Sequence, residues 1–436
     1  MLVHSLFYQI VYKKGIYFFL ISSKNIILLQ IYISMLNINE ISKIGIGTYR
    51  MNIDNSENYE AIIYAIESGI NIIDTASNYH LGKSELLIGD SISKQIRNSV
   101  FIISKAGYIQ GDDINKIKNS CIPFIQLSEE SLFSIEPDFI SLQLENSLRR
   151  MKLDYIDCYL LHNPEYYYKI SKKDATKTIF DSFSLLEKKV QEGKIRYYGI
   201  SSNTLSSLPL KNILESLERY PNFKFLQFPY NIIERNSNFQ LDNFNNISIS
   251  ELKNKGLIIL SNRPLNTIYE DKVLRLVDYN VENIQSIEKQ EQTIFNSFKS
   301  TIKERLIEIG EDSSLENYYP INFFIENRKN IANQAAISES IDSYLYPFLQ
   351  ALQFENNDIF ENLNKLKNFW LIFSQYNNQI RLNTLKDKLY DEGILTNDQR
   401  ELSLVLAENY LNAGIDTVLM GLRKKIYIDK IKPILI

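Results

Sequence analysis

From Ile41 onward, short apolar runs alternate with amphipathic stretches, the rhythm of βα units that build a parallel sheet. The apolar runs predict strands at Ile44–Ile46, Asn71–Ile73, Phe101–Ser104, Ile156–Leu161, Tyr197–Ile200, Phe225–Gln227, Leu257–Leu260 and Thr417–Met420. Apolar residues at helical spacing predict helices around 57–69, 84–95, 138–151, 174–192, 205–219, 247–255, 400–413 and 424–432. Eight strands, each followed by a helix in a right-handed connection, predict a closed (β/α)8 TIM barrel in preference to an open doubly wound sheet. No Gly-x-Gly-x-x-Gly follows the first strand, which weakens a Rossmann reading.

One span breaks the rhythm. Residues 266–397 are rich in Glu, Lys, Asn and Leu at helical spacing, with Phe323-Phe324, Tyr344-Leu345-Tyr346 and Trp370 as apolar faces. This predicts a large helical insertion between the seventh and eighth βα units. Its aromatic stripe reads as buried core and its charged runs, such as Glu288-Lys289-Gln290-Glu291, as a solvated face. The expected division is an N-terminal extension (1–38), a barrel (39–265 and 398–436) and the insertion (266–397).

Residues 1–34 are very apolar, but Lys13, Lys14 and Lys24 interrupt them before any uncharged run reaches the ~18 residues a membrane span needs. Two readings stay open: an over-extended start with Met35 as initiator, or an organellar targeting segment. The net charge of −4 gives no general attraction to nucleic acid or an anionic membrane. Cys121 and Cys158 are too few for a disulfide framework and lack metal-site spacing, so a reducing, cytoplasmic setting and no metal are expected.

The candidate chemistry lies where strands run out into polar loops. Ile72-Ile73-Asp74-Thr75-Ala76-Ser77-Asn78-Tyr79 leaves a strand displaying a carboxylate and, five positions on, a phenol. Ile102-Ile103-Ser104-Lys105 and Tyr159-Leu160-Leu161-His162 end their strands in an amine and an imidazole. In a (β/α)8 barrel all four would meet at one rim. A phenol with a pKa of about 10 is a poor acid near neutrality, but a neighbouring ammonium favours the phenolate. Lys105 would supply that charge, Asp74 would hold Lys105, and His162 would orient a substrate carbonyl. Singly, each has a plainer reading: a packing Tyr, a solvated Lys, a turn-capping Asp, a satisfied His. Four at corresponding strand ends favour the chemical one.

With those residues in hand, 42–265 and 400–432 resemble an aldo-keto reductase. The resemblance rests on Asp74-Thr75-Ala76-Ser77-Asn78-Tyr79, Lys105, Leu160-Leu161-His162 and Gly82-Lys83-Ser84-Glu85, then on the segments Leu148–Asp157 and Gly193–Asn203. It implies hydride transfer between NADP(H), less often NAD(H), and an aldehyde, ketone or sugar, with Tyr79 as general acid or base. It also implies nicotinamide contacts from Ser201, Ser202 and Gln227. Where the family often has an aromatic residue after the seventh strand this chain has Ser261-Asn262-Arg263, so Asn262 would hydrogen-bond the cofactor and Arg263 would meet its pyrophosphate. Gly421 opens a helix start suited to an anion, with Arg423 and Lys424 for an adenosine phosphate and Asp429 for the adenine. The competing reading is a catalytically weak NADP(H)-binding scaffold that docks partners through the insertion, which would equally serve oligomerisation.

Overall fold

The computed structural model describes residues 6–12, 15–22, 25–31, 35–92, 96–168, 172–234, 238–240, 246–331, 333–354, 357–396 and 398–435. Parts of the expected N-terminal extension (1–5, 13–14, 23–24 and 32–34) and Asn397, the expected end of the insertion, lie outside the described residues. The chain divides into two compact units, residues 1–264 with 406–436, and residues 265–405.

The first unit contains a closed barrel of eight parallel strands. They are β1 (Ile44–Gly47), β2 (Ile72–Asp74), β3 (Phe101–Ala106), β4 (Ile156–His162), β5 (Ile195–Ser201), β6 (Phe223–Pro229), β7 (Ile258–Asn262) and β8 (Thr417–Met420). Each pairs with the next in sequence, and β8 closes on β1 through Val418–Ile44 and Met420–Ile46. All eight predicted strands are present, most of them longer by one to three residues.

Helices α1 (Ser56–Glu67), α2 (Lys83–Ser91), α3 (Pro137–Met151), α4 (Lys172–Gln191), α5 (Leu210–Glu215) and α6 (Ile249–Asn254) follow β1, β2, β3, β4, β5 and β6. Helix α3 shows why. Pro137 pre-sets its first turn, and Phe139, Ile140, Gln143, Leu144, Ser147, Leu148 and Met151 recur at three and four residues to form its buried face. Lys152 then stops it in the left-handed conformation at φ 55°. A Ser248–Glu251 capping box starts α6.

The barrel interior is filled by Ile72, Phe101, Ile103, Cys158, Leu160, Phe225, Leu260 and Leu419. Gly199 is required for closure, because a Cβ there would lie 1.9 Å from the Phe225 carbonyl oxygen on the neighbouring strand.

The second unit begins with a hairpin, Asn266–Tyr269 and Lys272–Arg275, turning through Glu270 and Asp271 at φ 50° and 58°. This strand pair was not anticipated, since neither turn residue is the glycine or asparagine that usually marks such a turn. The helices follow: α7 (Ile284–Glu308), α8 (Tyr319–Asn327), α9 (Gln334–Ser340), α10 (Tyr346–Ala351) and the 34-residue α11 (Asp358–Asp391). They enclose their own core, in which Phe295, Phe298, Phe324, Leu345 and Trp370 are fully buried. One expectation fails here: Glu291, read as part of a solvated face, is 0 % exposed. It falls in phase with the buried stripe Phe295, Phe298, Ile302 and Leu306 of α7, so the helix turns it inward.

Helix α12 (Leu402–Asn412), whose first four residues belong to the second unit, precedes β8, and α13 (Lys425–Leu435) follows it. Near the N-terminus, Leu6–Tyr12, Gly15–Ser22 and Asn25–Ile31 form a three-stranded antiparallel sheet. No helix among the described residues is long and apolar enough to cross a membrane.

Candidate active site

The side-chain period of a strand is two, so the residue two places beyond an inward-facing apolar residue also points inward. Ile72 leads to Asp74, Ile103 to Lys105, Leu160 to His162, Phe225 to Gln227 and Leu260 to Asn262. Five strands thus place a polar side chain one layer above the apolar plug, at the C-terminal end of the barrel. The loop after β2 adds Tyr79, on a short helical turn that continues through His80 and Leu81 at φ 48° and 55° into Gly82 at 87°.

Lys105, completely buried, spends its three hydrogens there. Its Nζ lies 2.7 Å from Asp74 Oδ2, 2.8 Å from the Thr75 carbonyl oxygen and 3.3 Å from the Tyr79 hydroxyl. The other carboxylate oxygen of Asp74 accepts from Gln227 Nε2 at 2.7 Å, and Gln227 Oε1 accepts from Ser201 Oγ at 2.8 Å. The His162 ring stands edge-on to Tyr79, with centroids 6.1 Å apart.

These contacts set the charges. Burial opposes the Lys105 ammonium, but Asp74 and then Tyr79 outweigh it and hold Lys105 above the ordinary lysine value. His162 is held well below the ordinary histidine value, by burial first and by Lys105 second, so its imidazole is neutral. For Tyr79, burial raises the hydroxyl more than Lys105 lowers it, and Asp74 adds to the rise. The net direction is opposite to the simple expectation that a neighbouring ammonium makes this phenol more acidic. Tyr79 is a protonated donor held against a cation.

The structure brings Asp74, Tyr79, Lys105, Gln227 and Ser201 into one hydrogen-bonded chain. Ser202, Asn262 and Arg263 sit at the ends of β5 and β7; the Asn262 amide oxygen is buried with no partner, and Arg263 Nη2 reaches Asn203 Oδ1 at 3.4 Å. Gly421, Arg423, Lys424 and Asp429 lie beyond β8, outside that chain. Lys424 pairs with Glu57 at 3.1 Å, and Asp429 accepts from Tyr64 at 2.6 Å while pairing with Lys432 at 2.7 Å.

Sequence reasoning missed Tyr108 and Asn163. Asn163 donates to the Tyr108 hydroxyl at 2.7 Å, and the Tyr108 ring stands edge-on to His162 with centroids 5.0 Å apart. Asn163 adopts φ 55°, and its position directly after His162 and before Pro164 was the available signal. Among the described residues no cluster of three or more His, Cys, Asp or Glu side chains could hold a metal ion.

The sequence profile of the Aldo/keto reductase family matches residues 43–265, just over half of the chain. The chain belongs to the aldo/keto reductase family. Within that family it is similar to the uncharacterized oxidoreductase YqkF of Bacillus subtilis strain 168, 26% identical over 269 residues that cover 61% of this chain and 78% of that protein. It is also similar to the NADH-specific methylglyoxal reductase of Escherichia coli K12, 27% identical over 45% of this chain and 57% of the other. The chain spans about half the length of several further curated relatives. A solved aldo-keto reductase from Bacillus halodurans in its holo form is 26% identical over 51% of this chain and 61% of that one, with a TM-score of 0.37. The aldo/keto reductase match ends where the helical unit begins.

Proposed function

We propose that this chain catalyses the reversible reduction of an aldehyde, ketone or sugar by a nicotinamide dinucleotide, with Tyr79 as general acid in reduction and general base in oxidation. The observation that carries this reading is the Lys105 amine, 2.7 Å from Asp74 and 3.3 Å from the Tyr79 hydroxyl, at the C-terminal mouth of a (β/α)8 barrel. A bound nicotinamide would supply the hydride.

The residues at the rim fit such a guest. The buried, unpartnered Ser261 Oγ and Asn262 Oδ1 call for polar groups brought by a ligand. Gln227 uses one amide hydrogen on Asp74 and one acceptor position for Ser201, leaving one of each for a carboxamide. Ser201, Ser202, Gln227 and Asn262 would hold the nicotinamide end and Arg263 the pyrophosphate. Gly421, Arg423, Lys424 and Asp429 would take the adenosine end, where the two cations favour NADP(H) over NAD(H).

The chain's own residues then do three things. Neutral His162 orients the substrate carbonyl beside Tyr79. Tyr79 passes its phenolic proton to that oxygen as the oxygen becomes negative. Lys105, kept charged by Asp74, steadies the phenolate that remains. The test is loss of NADPH or NADH absorbance with a panel of small aldehydes and ketones, using wild type and Tyr79→Phe. Turnover in wild type that disappears in Tyr79→Phe, while dinucleotide still binds, is expected; equal rates in the two proteins would remove Tyr79 from the role.

A further inference from the structure

Tyr79 is carried by a turn of unfavourable backbone. His80 and Leu81 follow it at φ 48° and 55°, a left-handed conformation that residues bearing a Cβ rarely adopt, and Gly82 completes the turn at 87°. Such a conformation persists only where its surroundings impose it. The contact it has to serve leaves little slack: the Tyr79 hydroxyl is 3.3 Å from Lys105 Nζ, the longest of the three hydrogen bonds that amine makes.

The constraint acts at Gly82-Lys83-Ser84-Glu85, a motif to which the chemistry proposed above assigns no part. Glu85, in the first turn of α2, is completely buried. Its Oε1 accepts from Ser104 Oγ at 2.6 Å, and its Oε2 accepts from Arg150 Nε of α3 at 2.6 Å. The Arg150 stem lies against the turn itself, since a Cβ on Gly82 would stand 2.8 Å from Arg150 Cδ and 3.1 Å from its Nε. Ser104 and Lys105 are consecutive on β3, so the pleat sends their side chains to opposite faces. Lys105 meets the Tyr79 hydroxyl inside the barrel, while Ser104 holds Glu85 outside it. One strand therefore fixes both the root of the turn and the phenol at its tip, and Arg150 packs on the residues between.

We propose that Glu85 and Arg150 are positioning residues for proton transfer: their ion pair clamps the left-handed turn onto β3 and so holds the Tyr79 hydroxyl at Lys105. The proposal rests on the reading of Tyr79 as the proton donor of a carbonyl reductase and adds the residues that aim it.

Two measurements test it. In the first, butanal reduction is followed for wild type, Arg150→Ala, Gly82→Ala, Tyr79→Phe and the double variant Tyr79→Phe with Arg150→Ala, as rates per folded molecule with circular dichroism as the check. Arg150→Ala is expected to lower kcat roughly 10- to 100-fold, the scale of a misplacement of about 1 Å, with dinucleotide Kd unchanged. Millimolar guanidinium is expected to restore part of that rate, because the Arg150 side chain is 22% exposed and its place is open to a small cation. Gly82→Ala strands no charge, so it is expected to fold and to lower kcat in the same way even where Arg150→Ala does not fold. Because the clamp acts through the phenol, Arg150→Ala is expected to cost no further rate once Tyr79 is Phe. A wild-type kcat in either folded single variant, or an equal loss from Arg150→Ala with and without the phenol, would overturn the proposal. The second measurement is hydrogen exchange, which needs no turnover and so separates the clamp from the role of Tyr79. Amides of residues 79–85 that exchange at least about tenfold faster in Arg150→Ala, with the barrel strands unchanged, support the clamp even if Tyr79→Phe keeps its rate; unchanged exchange overturns it even if Tyr79→Phe is inactive.

Discussion

Each unit of the molecule buries a carboxylate against a cation, and the two pairs have opposite settings. In the helical unit, Glu291 Oε1 accepts from Arg328 Nε at 2.8 Å and from Trp370 Nε1 at 3.0 Å. The Arg328 guanidinium lies over the Phe295 ring at 4.0 Å and gives three further hydrogens to the Phe324 and Ile325 carbonyls and to Gln292. In the barrel, Lys105 gives one hydrogen to Asp74, one to a backbone carbonyl and the third to a phenol. A guanidinium never gives up its proton in a protein. The barrel pair differs in a single respect that matters, since one of its hydrogens is aimed at a group able to lose a proton. A buried ion pair therefore holds a core together in one place and, in the proposed function, prepares chemistry in the other.

The largest way to break this contrast is at the phenol. Tyr79→Phe removes one hydroxyl, and general acid catalysis of this kind contributes about 10²- to 10⁴-fold. Turnover is expected to fall by that factor with the unfolding midpoint little changed, read by steady-state kinetics and thermal melting. A mutant that keeps its rate would make the barrel pair as purely architectural as the other one.

The complementary test is Glu291→Ala. Removing one partner strands a buried guanidinium, an event that costs about 3–5 kcal/mol. Urea unfolding followed through Trp370 fluorescence should show that loss, and the paired replacement Glu291→Leu with Arg328→Met should recover most of it. Carbonyl reduction per folded molecule is expected to remain at the wild-type level. If Glu291→Ala left stability unchanged, the pair would not be the core element its burial indicates.

The site also has a pH signature. His162 is depressed in the folded state, so the unfolded chain binds the extra proton first and stability falls as pH drops below about 6.5. Tyr79 and Lys105 are both raised, so the folded state keeps their protons longer and stability falls as pH rises through about 10. Between those limits none of the three changes charge. Melting temperature and the rate of carbonyl reduction are expected to be flat from about pH 7 to pH 9.5. A rate that declines with a midpoint near 8 would mean that the phenol is acidified, contrary to the balance of burial over the Lys105 charge.

How far the sequence could be read follows from which forces are local. The barrel was legible because each βα unit repeats the same apolar period, and Asp74, Lys105 and His162 were legible because each stands two places beyond an apolar residue at a strand end. Glu291 was misread although the information was present, since the positions of Phe295, Phe298, Ile302 and Leu306 extrapolate back onto it. The hairpin at Asn266–Arg275 was not readable, because its turn carries no glycine and Glu270 adopts positive φ against its preference. The net direction of the Tyr79 shift depends on how much protein encloses the hydroxyl, and that is a property of the assembled mouth, absent from any short motif.

The smallest effect sharpens the comparison most, because it concerns one neutral hydroxyl. Tyr108 accepts from Asn163 at 2.7 Å, and its own hydroxyl is 3.3 Å from that of Tyr166. Asn163 in turn accepts from the Asn203 backbone amide at 3.2 Å, which links the loop after β4 to the loop after β5. Tyr108→Phe keeps the ring against His162 and deletes the hydroxyl that accepts from Asn163 and donates to Tyr166, at a cost of about 0.5–1.5 kcal/mol for each hydrogen bond lost. If Asn163 fixes the backbone that carries His162, the change should appear chiefly as a several-fold loss in kcat for carbonyl reduction, with dinucleotide affinity unaltered. If it appears only as a lower melting temperature, then the loop is packed as the Glu291 pair is packed, and the part of the barrel mouth tuned for chemistry is confined to Asp74, Tyr79, Lys105 and His162.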